Sequence, residues 1–268
     1  MRIEQVTSVQ NPKFKNLLLL QEKSKVRREQ GLFVVEGRRE LGHALEAGVR
    51  PRTVFVREAD LEALRPLLAA AEAANPDCLA VTLPSPLYAK AAYREGTEGI
   101  IAVMETRELH LEDLSLSASP LVVVLESVEK PGNLGAVLRS ADAARADAVI
   151  VCDPLTDLYN PNLIRASLGG IFTVPTVCAS SAETIDWLQA HSIRILTAQL
   201  QDSSWYYDID MTVGTALVMG TESTGLTEIW RKAADAHIRI PMLGRLDSLN
   251  VSVSAAILLF EAVRQRNA

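Results

Sequence analysis

Three stretches of this chain end an apolar run with small, polar or charged residues, and each could hold a ligand. The first is ESVEKPGNLGAVLRSADA, residues 126–143. A strand ends, a Pro-Gly turn follows, and a helix opens at Asn133, the expected cap, with Arg139 six residues further on. The second is VMGTESTGLTE, residues 218–228. Gly220 and Gly225 have the spacing of a phosphate loop, but Leu226 stands where that loop needs lysine, which disfavours triphosphate hydrolysis. What remains is a strand end, a glycine turn and Glu222, in the kind of place where open α/β sheets bind ligands. The third is IPMLGRLDSLN, residues 240–250, running into VSVSAAILLF. Ser248, Asn250, Ser252 and Ser254 are more small polar residues than one helix cap requires. They fit a cap with close packing, or a loop that turns backbone N–H groups and hydroxyls toward a ligand.

Several other chemistries lack their residues. Gly132 and Gly135 do not complete the dinucleotide fingerprint G-x-G-x-x-G, and no G-x-S-x-G nucleophile turn occurs. His43, His110, His191 and His237 form no H-x-x-x-H pair, and Cys78, Cys152 and Cys178 are odd in number and far apart. No metal site and no disulfide framework is therefore expected, and a reducing cytoplasm is the expected compartment. The apolar runs are too short for a membrane span, and no secretory signal is visible at the start.

The elements that must position these stretches alternate. NPKFKNLLLLQEKSKVRREQ reads as a helix with Asn11 as cap and Pro12 at its first position. Strand LFVVEG, helix RRELGHALEAG, strand TVFVRE, helix LEALRPLLAAAEAA, strand LAVTL and strand GIIAVMET follow. That pattern predicts an α/β sandwich over residues 1–105. Residues 106–119 are charged and Ser-rich and read as a linker. A second α/β domain over 120–268 has strands PLVVVLE, AVIVCD, IRILTA, GTALVMG and HIRIPM, a helix opening at Asn160-Pro161, and a last helix from about Asn250 to Arg266. Its apolar runs between helices predict a mainly parallel, buried sheet.

Charge is divided unevenly. The net charge is −6, yet residues 1–52 hold eleven Lys/Arg against six Glu, or +5, which leaves −11 for the rest. The basic front is either a solvated helix face or an electrostatic footprint for a polyanion. In the second case Arg27, Arg28, Arg38 and Arg39 are the residues expected to meet phosphates.

Together these stretches resemble the SpoU/TrmH family of RNA ribose 2′-O-methyltransferases, within the knotted SPOUT superfamily. PGNLGAVLRSADA is similar to the family's first motif, with Asn133 and Arg139 in place. VMGTESTGL resembles the second, with Gly220 and Glu222, and IPMLGRLDSLNVSVSAAILLFEA the third. NPNLIRASLGGIFTVP also looks like a family stretch, and FVVEGRREL resembles the substrate-binding domain of members that act on ribosomal RNA.

The resemblance implies a small ribosomal-protein-like α/β sandwich followed by a deep trefoil-knot methyltransferase domain. It implies S-adenosylmethionine as cofactor, held by backbone groups of Gly220, Ile240 and Leu249, with Met242 nearby and the loop around Thr197 at the adenosine. Glu222, Ser248 and Asn250 would shape the pocket and hold the methionine end. A ribose hydroxyl must lose its proton during attack. The resemblance gives that duty to Arg139, with Asn133 orienting the arginine or the ribose. Arginine is normally fully protonated, so the role assigned to Arg139 is first to position the hydroxyl and phosphate. Family members are homodimers through the C-terminal domain, and Arg165 is implied to touch RNA across the dimer. The expected substrate is structured RNA, 23S ribosomal RNA ahead of tRNA. A non-catalytic RNA-binding protein of the same fold and a small-molecule methyltransferase are the alternatives. The first would have no use for an intact cofactor pocket, and the second none for a basic N-terminal domain.

Overall fold

The computed structural model describes residues 1–93, 98–221 and 224–267. By their contacts these fall into two units, one of Met1–Arg107 with Asp157–Thr173, the other of Glu108–Thr156 with Val174–Ala268. The segment 157–173, which the sequence reading counts with the second domain, thus packs with the first.

The first unit opens with β1 (Arg2–Gln5), a short, exposed strand whose RIEQ gives no apolar alternation. Asn11 caps α1 (Pro12–Glu22) by accepting from the Lys13 N–H, and Pro12 sits where its missing N–H would be unpaired anyway. The single helix expected here is two, because the backbone is extended at Lys23; α2 (Ser24–Gln30) then closes on Gly31, whose φ of 61° lies in the left-handed region that glycine tolerates. There follow β2 (Leu32–Glu36), α3 (Arg38–Glu46), β3 (Pro51–Arg57), α4 (Leu61–Ala74), β4 (Leu79–Leu83), α5 (Ser85–Ala91) and β5 (Ile100–Glu105). The sheet order is β1-β4-β3-β5-β2, with β1, β4 and β3 parallel and β5 antiparallel to both its neighbours. Strand alternation sorts the core to two faces. Phe33, Val35, Val54 and Ile100 meet Leu41 and Leu64 on one, and Val34, Phe55 and Ile101 meet Phe14, Leu17 and Leu20 on the other. Each such fully buried side chain contributes about 1.5–3 kcal/mol relative to exposure.

The second unit starts with β6 (Leu121–Glu126), α6 (Pro131–Ala143) and β7 (Ala148–Cys152). The chain then joins the first unit as α7 (Pro161–Ala166) and α8 (Gly170–Thr173). It returns as β8 (Thr176–Ala179), α9 (Ser181–Ala190), β9 (Arg194–Ala198), β10 (Ser204–Trp205), β11 (Thr215–Met219), α10 (Glu228–Ala233), β12 (Ala236–Arg239) and α11 (Val251–Arg266). The order is β10-β12-β9-β11-β6-β7-β8, and every pairing is parallel. The unbroken runs LVVVL and TALVM are buried throughout, as strands covered on both faces must be. The C-terminal end of α11 is anchored by Arg266. Its guanidinium donates to the carbonyls of Met211 (2.9 Å), Ser119 (2.7 Å), Pro120 (3.1 Å) and Val213 (2.8 Å).

Side chains explain why 157–173 leaves its neighbours in sequence. The Arg27 guanidinium, 3% exposed, donates to Asp157 Oδ2 at 2.7 Å and to the Leu20 and Gln21 carbonyls at 2.6 and 3.2 Å. The Tyr159 ring stacks on Phe33 with centroids 4.2 Å apart, and Ile164 is buried in the same core. This corrects the expectation that Arg27 meets RNA. Its charge is consumed inside the first unit, holding one helix end and one carboxylate.

Among the described residues no helix is long and apolar enough to cross a membrane, and no group of three or more His, Cys, Asp or Glu is placed to hold a metal ion.

Candidate active site

Strand order dictates where a ligand can enter the second unit. The sheet grows in one direction from β6 through β7 to β8 and in the other from β11 through β9 and β12, so the switch point lies between β6 and β11. Crevices open there outside the carboxyl ends of parallel strands. A cleft of about 420 Å³ lies at the ends of β9, β11 and β12, lined by Ala198 to Gln201, Met219 to Thr221 and Ile238 to Ile240, with Met242, Ser248 and Leu249. A smaller one of about 130 Å³ shares Gly220, Thr221 and Val251 with it and is bounded by Val128, Lys130 and Asn133. The three motifs thus meet at one place. The larger volume falls in the usual range for small-molecule and cofactor sites.

Gly220 is required by the protein itself. A Cβ there would lie 2.3 Å from the Gly225 carbonyl carbon and 2.6 Å from the Leu226 nitrogen, both backbone. The family resemblance gives the backbone of Gly220 to the cofactor. The nearer obstacle is the returning loop, so a side chain at 220 disturbs folding of that loop before it meets a ligand. The far end of the loop is held by Glu126, a buried carboxylate that closes β6. Glu126 accepts from the Thr227 N–H at 2.8 Å, the Thr227 hydroxyl at 2.5 Å and the Ser181 hydroxyl at 3.3 Å. The Trp230 indole donates to that same Ser181 oxygen at 3.1 Å. Sequence reasoning missed Glu126. The signal was a carboxylate ending a wholly apolar strand, a position that burial forbids unless donors surround it.

Asn250 answers for part of the crowding of small polar residues. It caps α11, its Oδ1 accepting from the Ser252 N–H (3.0 Å) and hydroxyl (2.6 Å). Its Nδ2 donates to Asn133 Oδ1 at 3.2 Å, which joins the first motif to the third. Asn133 is not the cap of α6, as expected, but sits in its first turn; Lys130 occupies the cap and Pro131 the first helical position. The Ser248 hydroxyl donates to Asp247 at 3.3 Å, and Ser248 and Ser254 both line the larger cleft.

Ile240, Met242 and Leu249 line the larger cleft as well. Thr197 does not. It is fully buried in β9, its hydroxyl 2.6 Å from His237 Nδ1, and the lining falls to the four residues after it. Two buried polar atoms of cleft-lining side chains, Gln199 Oε1 and Arg231 Nε, lack partners among the described residues, as expected beside a polar ligand. Arg139 lies on the exposed side of α6, lines neither cleft, and makes no hydrogen bond or ion pair with a described residue. Glu222 falls outside the described residues. Burial pushes the Cys78 and Cys152 thiols up to about 11 and about 12, which removes both as nucleophiles.

In the first unit Arg28, Arg38 and Arg39 are exposed. Arg38 is tied to Glu98 through its N–H (2.6 Å) and its Nε (3.1 Å), and Arg39 pairs with Glu40 at 2.9 Å. Arg165, on α7, donates to Asn162 Oδ1 at 2.6 Å.

A wholly parallel sheet with a cleft at its strand ends, built from backbone turns and a capped helix start, defines an α/β domain of the cofactor-binding kind. The comparisons make this definite. Residues 120–260 match the SpoU rRNA Methylase family and residues 11–102 the MRM3-like substrate binding domain. The chain is 32% identical over 252 residues to the 23S rRNA (uridine(2479)-2′-O)-methyltransferase of Streptomyces viridochromogenes, covering 90% of this chain and 85% of that one. It is 27% identical over 258 residues to the 23S rRNA (guanosine(2553)-2′-O)-methyltransferase RlmP of Bacillus subtilis, covering 96% and 98%. An AdoMet-bound rRNA methyltransferase from Sinorhizobium meliloti superposes with a TM-score of 0.89 at 30% identity over 98% of both chains. This chain belongs to the SpoU rRNA methylase family.

Proposed function

We propose that this protein transfers a methyl group from S-adenosylmethionine to a ribose 2′-OH of structured RNA, and that the RNA is 23S ribosomal RNA. The observation that carries the reading is the convergence of Gly220, Asn133, Ser248, Leu249 and Asn250 at the carboxyl ends of one parallel sheet. Similarity along nearly the whole chain to enzymes named for 23S rRNA supports the substrate. Mapping 2′-O-methylation in ribosomal RNA from wild-type and deletion cells tests it. Identical maps overturn the substrate.

S-adenosylmethionine, when bound, supplies an electrophilic methyl group on a sulfonium. The cleft fits it: apolar walls from Ile240, Met242 and Leu249, a backbone turn at Gly220, and the atoms of Gln199 and Arg231 that lack partners among the described residues. Ser248 and Asn250 would hold the polar end. Asn250 also fixes Asn133, and so the start of α6. Arg139 lies six residues along that helix, about 9 Å of rise. Exposed, and without a partner among the described residues, it is available to orient the hydroxyl and its neighbouring phosphate, while the departing proton passes to water.

The assembly we infer is a homodimer through the second unit. Val253 and Phe260, seven residues apart on one face of α11, are 47% and 49% exposed, as residues awaiting a partner surface would be. The loop 240–250 and α11 are read as the knotted segment of the family fold. Residues 1–105 with the segment 157–173 recruit RNA, 106–119 link, and the rest of 120–268 carries the chemistry. A ribosomal RNA substrate supports a cytoplasmic location.

A further inference from the structure

Two arginines of the first unit lie over tyrosine rings, and they differ in kind. Arg57 reaches Tyr88 at 5.9 Å, but Tyr88 is buried and Arg57 is ion-paired with Asp60. That pair is internal structure. Arg165 lies 3.7 Å from the centroid of Tyr93, which is 59% exposed. Among the described residues no carboxylate pairs with Arg165; its hydrogen bond to the neutral amide of Asn162 fixes the guanidinium without neutralising it. Tyr93 is fixed as well, because the Glu36 carboxylate accepts from its backbone N–H at 3.0 and 3.3 Å. Glu36 directly precedes Gly37 and the helix start that carries Arg38 and Arg39. A flat, half-exposed ring, an uncompensated cation stacked on it and two further arginines are thereby held on one edge of the unit.

We propose that Tyr93 and Arg165 form a stacking platform for one unpaired nucleotide of the RNA substrate, with the base on the aromatic face and its phosphate on the guanidinium. The inference rests on the RNA reading above and adds to it a residue, Tyr93, and a structural class of target. A paired base hides both faces in the helix stack, so the recognised nucleotide lies in a loop or bulge. Aromatic stacking accepts any base, and the charge supplies the phosphate contact. An acidic peptide would use the cation but leave the exposed ring without a role. The segment 157–173 therefore brings this edge an arginine that no carboxylate of the described residues offsets.

The test uses the full chain and an unmodified 23S rRNA transcript, with binding measured across a salt series. Tyr93→Ala should weaken binding by about ten-fold or more, the usual loss for one stacked base. Its salt dependence should be unchanged, since no phosphate contact is lost. Tyr93→Phe should bind like wild type. Arg165→Ala should weaken binding and lower the salt slope by about one phosphate's worth. A fully paired RNA duplex should bind wild type and Tyr93→Ala alike. Melting temperature and S-adenosylmethionine affinity report folding of each variant. A Tyr93→Ala protein that binds the transcript as tightly as wild type overturns the platform, as does a loss that phenylalanine fails to restore or one equal on duplex. Wild-type protein that ignores the transcript at every salt overturns the RNA reading itself, a result no comparison of variants can mimic.

Discussion

The crossover after β6 and the crossover after β7 begin alike and end in different units. Each opens a helix with proline at its first position, and each carries an asparagine and an arginine: Asn133 and Arg139 on α6, Asn162 and Arg165 on α7. In α7 the cap is Asn160, whose side chain accepts from the Asn162 N–H. In α6 the cap residue is Lys130, with no side-chain capping bond, so Asn133 is not spent on the helix end and reaches Asn250. α6 runs thirteen residues and buries Leu134, Val137, Leu138 and Ala141 within the second unit. α7 runs six, and Arg27, Phe33 and the core around Ile164 draw it into the first. Similar local chemistry was thus put to different use, and tertiary partners decided which.

The strongest way to break this comparison is to remove the two arginines separately. Arg139→Ala should lower methyl transfer at saturating RNA by about 10²-fold, the cost of a misplaced reacting hydroxyl, with cofactor affinity within about two-fold. Arg165→Ala should leave the saturated rate near wild type and act on RNA affinity alone. Radiolabelled methyl transfer and calorimetry read both, and equal losses of saturated rate would erase the distinction. Next in size is the anchor of the second crossover. Arg27→Met leaves the partly buried Asp157 carboxylate without its cation and should destabilise the first unit by about 3 kcal/mol in urea titration. For the same reason a truncated chain starting at Ser119 should be cut by protease within 157–173, because Ile164 and Phe172 lose their cover; resistance there would show that the segment does not need the first unit.

Smaller effects sharpen the comparison on the α6 side. Glu126→Gln replaces an acceptor-only carboxylate with an amide that must turn a donor toward Thr227 or Ser181. Cofactor affinity should fall by about ten-fold, in line with losses of about 1.5–3 kcal/mol for hydrogen bonds to charged groups. A melting temperature lowered with affinity unchanged would confine Glu126 to stability. The least effect belongs to the caps. Asn250→Ala and Asn160→Ala should each cost about 1 kcal/mol of stability, but only the first should weaken S-adenosylmethionine binding, by a few-fold.

Strand and helix positions were legible wherever an apolar period was strong. LFVVE, LVVVLE, AVIVC and TALVM are strands, and the helix after Asn250 runs to Arg266. RIEQ at β1 has no such period, and the break at Lys23 carries no proline or glycine to announce it. The cleft was legible only through likeness to a family, since neither 3.6 nor 2.0 periodicity brings residue 133 beside residue 250. Arg27 was misread because its neighbours in sequence are basic and polar; burial of one arginine depends on Asp157, 130 residues away. Thr197 was assigned to a loop, but β9 runs one residue past it, to Ala198.

Arg266 gives the second unit a mechanical polarity. Its four carbonyl contacts gather the entry to β6 and the turn before β11 onto the last turn of α11. Tension on the chain beyond Arg266 reaches this clasp before the sheet, loaded across several short bonds. Traction from that end should therefore face a higher initial yield force than traction on an internal loop, and an unfoldase that grips the tail should stall there before it reaches the sheet.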